Sequence, residues 1–218
     1  MALSNAAKSG IAIFVGAVQF GLSMIVSEII DSSANPPHVL GTGNETGYVY
    51  SVASNYISDL GANCPAKSCY IPPSAYLFDS SIALLGILII VGGYFLHRAY
   101  RWRPATIAIV MAGVGALGVG LFPETTGIVH VIFSDITFIF AGLAAIITYR
   151  LQKKPMGYFS VILGLIDLIC CALFALGIYL GLGAGGMERM IVFPTLLWAL
   201  AFGGHMMGLE DKTPIGTT

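Results

Sequence analysis

Charge is scarce in this chain. Lysine and arginine number 10 and aspartate and glutamate 11 among 218 residues, so 10% of the sequence is charged, against about 25% in a soluble domain. That scarcity excludes an ordinary water-soluble domain, and the formal net charge of -1 gives no footing for a nucleic-acid partner. Histidine is scarce as well. The four present, His38, His97, His130 and His205, exclude a three-histidine zinc centre, because His97 and His205 fall at the opposite ends of their apolar runs from His130. Of the four cysteines, Cys64 and Cys69 in "CPAKSC" have neither a second CxxC nor a nearby histidine pair to complete a zinc site. No metal and no cofactor is expected. A bis-histidine haem between His97 and His205 is set aside, since histidines beside "RAYRWR" suit head-group contacts better.

Apolar residues are abundant instead. They make up 56% of the chain, mean hydropathy is +0.85, and they fall in blocks of about 20, the length that crosses about 30 Å of hydrocarbon. The blocks cover 9–30, 75–96, 104–122, 127–149, 156–182 and 190–207. They are continuous, without the period-two alternation of barrel strands, so helices are predicted. The first follows Lys8 but is too long for a signal-peptide core and ends in "SEIID", so it reads as a retained helix. The expected fold is an all-α integral membrane protein, a single domain over 1–218 with about six transmembrane helices.

The basic residues set the orientation. Lys8, Arg98, Arg101, Arg103, Arg150, Lys153, Lys154 and Lys212 fall on one side, and only Lys67 and Arg189 on the other. Both termini are therefore expected in the cytoplasm and the long connection 31–74 outside, in a cell membrane. That connection is rich in Asn, Ser, Gly and Pro. On an oxidising face Cys64 and Cys69 are expected to form a disulfide, and "NET" at Asn44 fits the glycosylation acceptor pattern. Cys170 and Cys171 lie within a span and read as packing residues. The run "YVYSVASNYISDLG" at 48–61 places Val49, Val52, Ala53, Tyr56, Ile57 and Leu60 at helical spacing, which predicts a short amphipathic helix capping the bundle.

The elements "YSVASNYISDLGA", "IPPSAYLFDSSIALLGILIIVGGYFL" and "GLFPE" with a following histidine occur in an order and spacing that resembles the prokaryotic membrane family catalogued as domain of unknown function 998. The resemblance covers most of the chain and weakens after Tyr149. It implies a six-helix membrane domain with an outer loop after the first span, and it carries no catalytic residues. The "FP…H" element alone has a fainter likeness to Frag1/DRAM-type six-span proteins linked with lipid remodelling and membrane trafficking.

Ionisable groups in or near the spans are the candidate site. Asp59, Asp79, Glu124 and His130, with Glu28 beside them, are expected in one outer layer. Two readings stand side by side. Either the acids and histidine pin the outer loop to the bundle, or they form a site in which His130, oriented by Asp79 or Asp59, acts as general base beside Ser58, Ser80 or Ser81. Asp135 and Asp167 lie deeper, where they either hydrogen-bond neighbouring helices or relay protons or ions. Glycine, 27 residues in all, clusters in "GVGALGVG" at 113–120, placing the third span at the bundle centre or a subunit interface. "GLGAGG" before Met187 reads as a flexible outer turn. The functional expectation is a non-catalytic subunit, sensor or scaffold of a membrane assembly, with membrane lipid and other membrane subunits as partners. The alternatives are an outer-leaflet lipid-acting enzyme or lipid-binding protein, and proton or ion transport through Asp135 and Asp167.

Overall fold

A computed structural model of the chain describes residues 3–33, 50–61 and 73–209. Among them lie six helices long and apolar enough to cross a membrane: α1 (Asn5–Ser32), α2 (Pro73–Tyr100), α3 (Arg103–Leu121), α4 (Ile128–Ile147), α5 (Met156–Ala175) and α6 (Gly183–Met207). Two prolines sit where a missing N–H costs nothing, Pro73 at the start of α2 and Pro104 in the first turn of α3, whereas Pro194 lies inside α6. At the start of α1, Ser4 accepts from the Ala7 N–H at 3.0 Å and its hydroxyl donates to the Leu209 carbonyl at 2.8 Å. One side chain thus caps α1 and ties it to the end of α6.

Each helix packs on its neighbour in sequence, and α6 returns to pack on α1. The bundle is therefore a closed ring. Small residues allow the close approach that drives helix association in lipid, where no hydrophobic force acts between helices. A Cβ on Gly86 of α2 would overlap the backbone of Leu117 and Gly113 in α3, and one on Gly10 of α1 would meet the Gly203 carbonyl of α6 at 2.5 Å. The "GVGALGVG" glycines of α3 are used in this way, Gly113 against α2 and Gly115 and Gly118 against Thr137 and Phe133 of α4. So α3 is one stave of the ring between α2 and α4, not its centre.

Three expected elements differ. The fifth helix ends at Ala175 rather than 182, and "GAGG" opens α6 instead of forming a loose turn. The connection turns through Gly177, Leu180, Gly181 and Gly183, all at positive φ, which favours glycine. Gly183 and Gly185 then lie so close to the carbonyls of Ala53 and Asn55 that any side chain would overlap them. Here tertiary contact overrides the poor helix propensity of glycine. The amphipathic helix over 48–61 is likewise absent from its described part, 50–61, where only Ser58–Gly61 makes a short 3-10 turn. The cause is local competition for the backbone. Asn55 Oδ1 accepts from the Ser51 N–H at 2.9 Å, Asp59 accepts from the Tyr56 N–H at 2.9 Å, and the Val52 and Asn55 carbonyls are taken by Arg189. Asn44, Cys64 and Cys69 lie outside the described residues.

Candidate functional site

The loop 50–61 is bolted to the bundle by one cation. Arg189, two turns into α6 and 6% exposed, donates to the carbonyls of Val52, Asn55 and Gly185, each at 2.9 Å, and to the Tyr50 hydroxyl. Its Nε and Nη2 both reach Glu28 Oε1 of α1, at 3.1 and 2.5 Å. A guanidinium suits this task because its donors fan out in a fixed plane. Burial pushes the Tyr50 phenol well above its ordinary value, against the lowering effect of the adjacent Arg189 charge. Tyr50 is therefore a neutral donor and acceptor in this network. Beside Arg189, Glu188 accepts from the Ile57 N–H.

Three carboxylates meet beneath the same loop. Asp59 accepts from Asn55 Nδ2 at 2.8 Å as well as from Tyr56. Glu124, in the 3-10 turn Glu124–Thr126 between α3 and α4, shares hydrogen bonds with Asp59 and Ser58, and the charge of Glu188 reaches it. Burial first, then the bond to and charge of Asp59, push the Glu124 carboxyl up to about 8. Both effects favour the neutral form of the Glu124 carboxyl. Its second oxygen, Oε2, is buried without a hydrogen-bond partner among the described residues.

Other expected members of this layer are placed differently. Asp79 turns its carboxyl against Gly61, where a Cβ would overlap Oδ1. His130, 5% exposed, is bound through Nδ1 to the Phe122 carbonyl at 2.8 Å. The ring is thus oriented by the end of α3 and not by Asp59 or Asp79. Ser80 and Ser81 donate to carbonyls of their own helix. Glu28 belongs to the Arg189 network rather than to the acid cluster. At the other end of the bundle, His97 lies 3.4 Å from the Thr106 hydroxyl and His205 3.2 Å from the Leu151 carbonyl. Among the described residues no group of three His, Cys, Asp or Glu side chains is arranged to hold a metal.

Asp135 and Asp167 do not pair. Asp167 is fully buried between α5 and α4, with its carboxyl over Gly142 and neither oxygen hydrogen-bonded. Asp135 is exposed on the outside of α4.

Below the loop runs a cavity of about 100 Å³ inside the ring. An ordered water needs about 10–15 Å³ on this measure, so the space is several times larger than one water. Its walls come from five helices, with Phe20, Phe78, Leu85, Ile109, Phe138 and Trp198 among the bulky side chains. The lining extends from Phe78 to Ile89 on α2, about 16 Å at 1.5 Å per residue. Thr137 and Thr195 line it too, but their hydroxyls donate to Phe133 and Val192 on their own helices. At the loop end Ser58 and Glu188 face the space, and Ser134 of α4 lines it as well.

Sequence reasoning missed Arg189 and Glu188. It placed both in an outer turn, because the sixth apolar block seemed to begin at Met190. The available signal was that Arg189 is one of two basic residues on the acidic side of the molecule. A cation retained against the charge bias needs a partner.

The family model described as "Protein of unknown function (DUF998)" matches residues 46–205. No curated protein and no solved structure matches the chain.

Proposed function

The chain belongs to this DUF998 family of proteins of unknown function, and from that premise we propose that it is a non-catalytic membrane protein that holds one amphiphilic molecule in the ring cavity. The alkyl or isoprenoid chain of the molecule lies among Phe20, Phe78, Leu85, Ile109 and Trp198. Its polar head reaches Ser58 and Glu188 below the loop. The observation that carries this reading is the distribution of polarity: an apolar shaft some 16 Å long with a charged side chain, Glu188, and the Ser58 hydroxyl at its loop end. Apolar cavities of this kind stay dry and take apolar guests, and the surrounding bilayer supplies them.

The acids at the mouth favour a head that donates hydrogen bonds or carries positive charge. Asp59, Glu124 and Glu188 crowd there, and the nearby cation, Arg189, is already committed to Glu28 and the loop. The same reading sets both termini at the cytoplasmic face and the loop at the outer face. It is supported by Lys8, Arg98, Arg101, Arg103, Arg150, Lys153 and Lys154, all at the helix ends remote from the loop.

Native mass spectrometry of the protein released from membranes tests the proposal. Wild type should carry one amphiphile per chain, and Ala116→Phe or Ala112→Leu, which fill the shaft from α3, should lose it while melting as a folded protein. Equal retention of the amphiphile by folded, filled variants would refute the reading.

A further inference from the structure

The ring does not bury its helices evenly. α4 and α5 bury 22% and 17% of their apolar windows inside the molecule, against 33–50% for the other four spans. Lipid alone satisfies most of the face they present. Ile128, Ile132 and Ile139 of α4 and Ile162, Leu165 and Ile169 of α5 are exposed there, and apolar side chains require nothing more. Asp135 is different. It lies seven residues beyond Ile128, about 10 Å along the helix from its outer end, on the same exposed stripe as Ile128, Ile132 and Ile139. It makes no hydrogen bond or ion pair among the described residues. Its side chain has one methylene and cannot reach back to the head groups as lysine or arginine can.

A carboxyl in hydrocarbon is costly unless it faces a protein partner or water, and none of the described residues of this chain bonds to it. Across the helix pair its charge reaches the Cys171 thiol of α5, which offers only a weak donor. Among the described residues, a second copy of the chain offers no free cation at that depth either. Among the described basic residues Arg189 is already bound to Glu28 and the loop. The rest sit at the opposite ends of the helices.

We propose that the outer half of the α4–α5 face docks a transmembrane helix of a different protein, one that is apolar around its circumference and carries a single lysine or arginine at the depth of Asp135. The apolar stripe gives packing and the carboxyl gives register and choice of partner. A mispaired neutral helix would leave Asp135 unsatisfied, so the same group rejects wrong partners. This inference does not depend on the cavity reading, since Asp135 does not line the shaft.

The test uses synthetic transmembrane peptides and the full-length protein, fluorescently labelled, in phosphatidylcholine vesicles, with association read by energy transfer. Three peptides share a leucine–alanine host sequence. One is unmodified, one has a lysine at the matching depth, and one has a glutamate there. The lysine peptide should bind wild type about tenfold more tightly than the host peptide, the scale of polar contacts between helices in lipid, and the glutamate peptide should not. Asp135→Asn should remove that preference, and Asp135→Lys should transfer it to the glutamate peptide. Asp135 is on the lipid side, so melting temperatures should confirm that both variants are folded; the peptide series on wild type needs no variant at all. Equal binding of host and lysine peptides would overturn the proposal and leave lipid as the covering of this face. Energy transfer between differently labelled copies of the protein that vanishes in Asp135→Asn would overturn it in favour of a self-association surface.

Discussion

Replacing Arg189 by methionine tests the loop anchor most sharply. The substitution keeps most of the side chain's length and removes every donor. It strands Glu28, whose side chain is 19% exposed, and frees the carbonyls of Val52, Asn55 and Gly185 together with the Tyr50 hydroxyl. Breaking a buried ion pair by removing one partner costs about 3–5 kcal/mol, because the surviving charge stays desolvated. Val52 is exposed at the surface, so water can replace its lost bond, and the upper end of that range is not expected. A loss of about 3 kcal/mol in unfolding free energy, measured by titrating a denaturing detergent into mild micelles, is the working figure. Hydrogen exchange should locate it: amides of 50–61 lose protection while those of α2 and α3 keep theirs. Glu28→Gln retains an acceptor for the guanidinium and should cost less than the arginine substitution. If Arg189→Met left both the exchange of the loop and the unfolding free energy unchanged, the anchor argument would be wrong.

Gly86→Ala forces a Cβ into the backbone of α3 and should destabilise the protein by about 1–3 kcal/mol. Gly21→Ala, where nothing lies within 4 Å, should be neutral or gain up to about 1 kcal/mol in helix propensity; thermal melts in detergent compare the two. His130→Ala removes the bond that holds the Phe122 carbonyl and should lower stability by about 1–3 kcal/mol, so an unchanged melting temperature would argue against a structural role. Glu124 titrates near 4.5 in an unfolded chain and at about 8 in the folded one. The folded state therefore binds more protons across that window, and its stability falls as pH rises through it. Glu124→Gln should flatten this part of the stability profile, and a profile of the same slope would show that another group causes it.

The six helices were legible because an apolar run of about 20 residues has a single structural solution in a bilayer. The ends of α2, α3 and α4 were readable to within a few residues from Pro73, Pro104 and the charged turns. The start of α6 was not, because Gly183 and Gly185 look like turn residues until the carbonyls of Ala53 and Asn55 press on them. Helical spacing over 48–61 was equally real and equally misleading. Side chains of Asn55 and Asp59, and Arg189 from more than 130 residues away in sequence, claim the backbone groups that a helix would pair. Within the site, depth counting put Asp59 and Glu124 in one layer, and the structure brings them into contact. It could not say that His130 turns to Phe122, or that Asp135 and Asp167 point to different surroundings, because rotation about a helix axis is fixed by packing partners rather than by depth. The shaft was illegible for the same reason. Its walls come from five helices, and no single stretch of sequence encodes a void.

Trp198 lines the shaft at 4% exposure, and with Trp102→Phe it becomes the sole tryptophan of the protein. Bromine on an acyl chain quenches indole fluorescence on contact, so brominated amphiphiles titrated into this single-tryptophan protein report directly on occupancy. The account predicts saturable quenching with one amphiphile per chain, abolished when Ala116→Phe fills the space. Unquenched Trp198 in an intact bundle, or quenching that rises without limit and ignores Ala116→Phe, would contradict it.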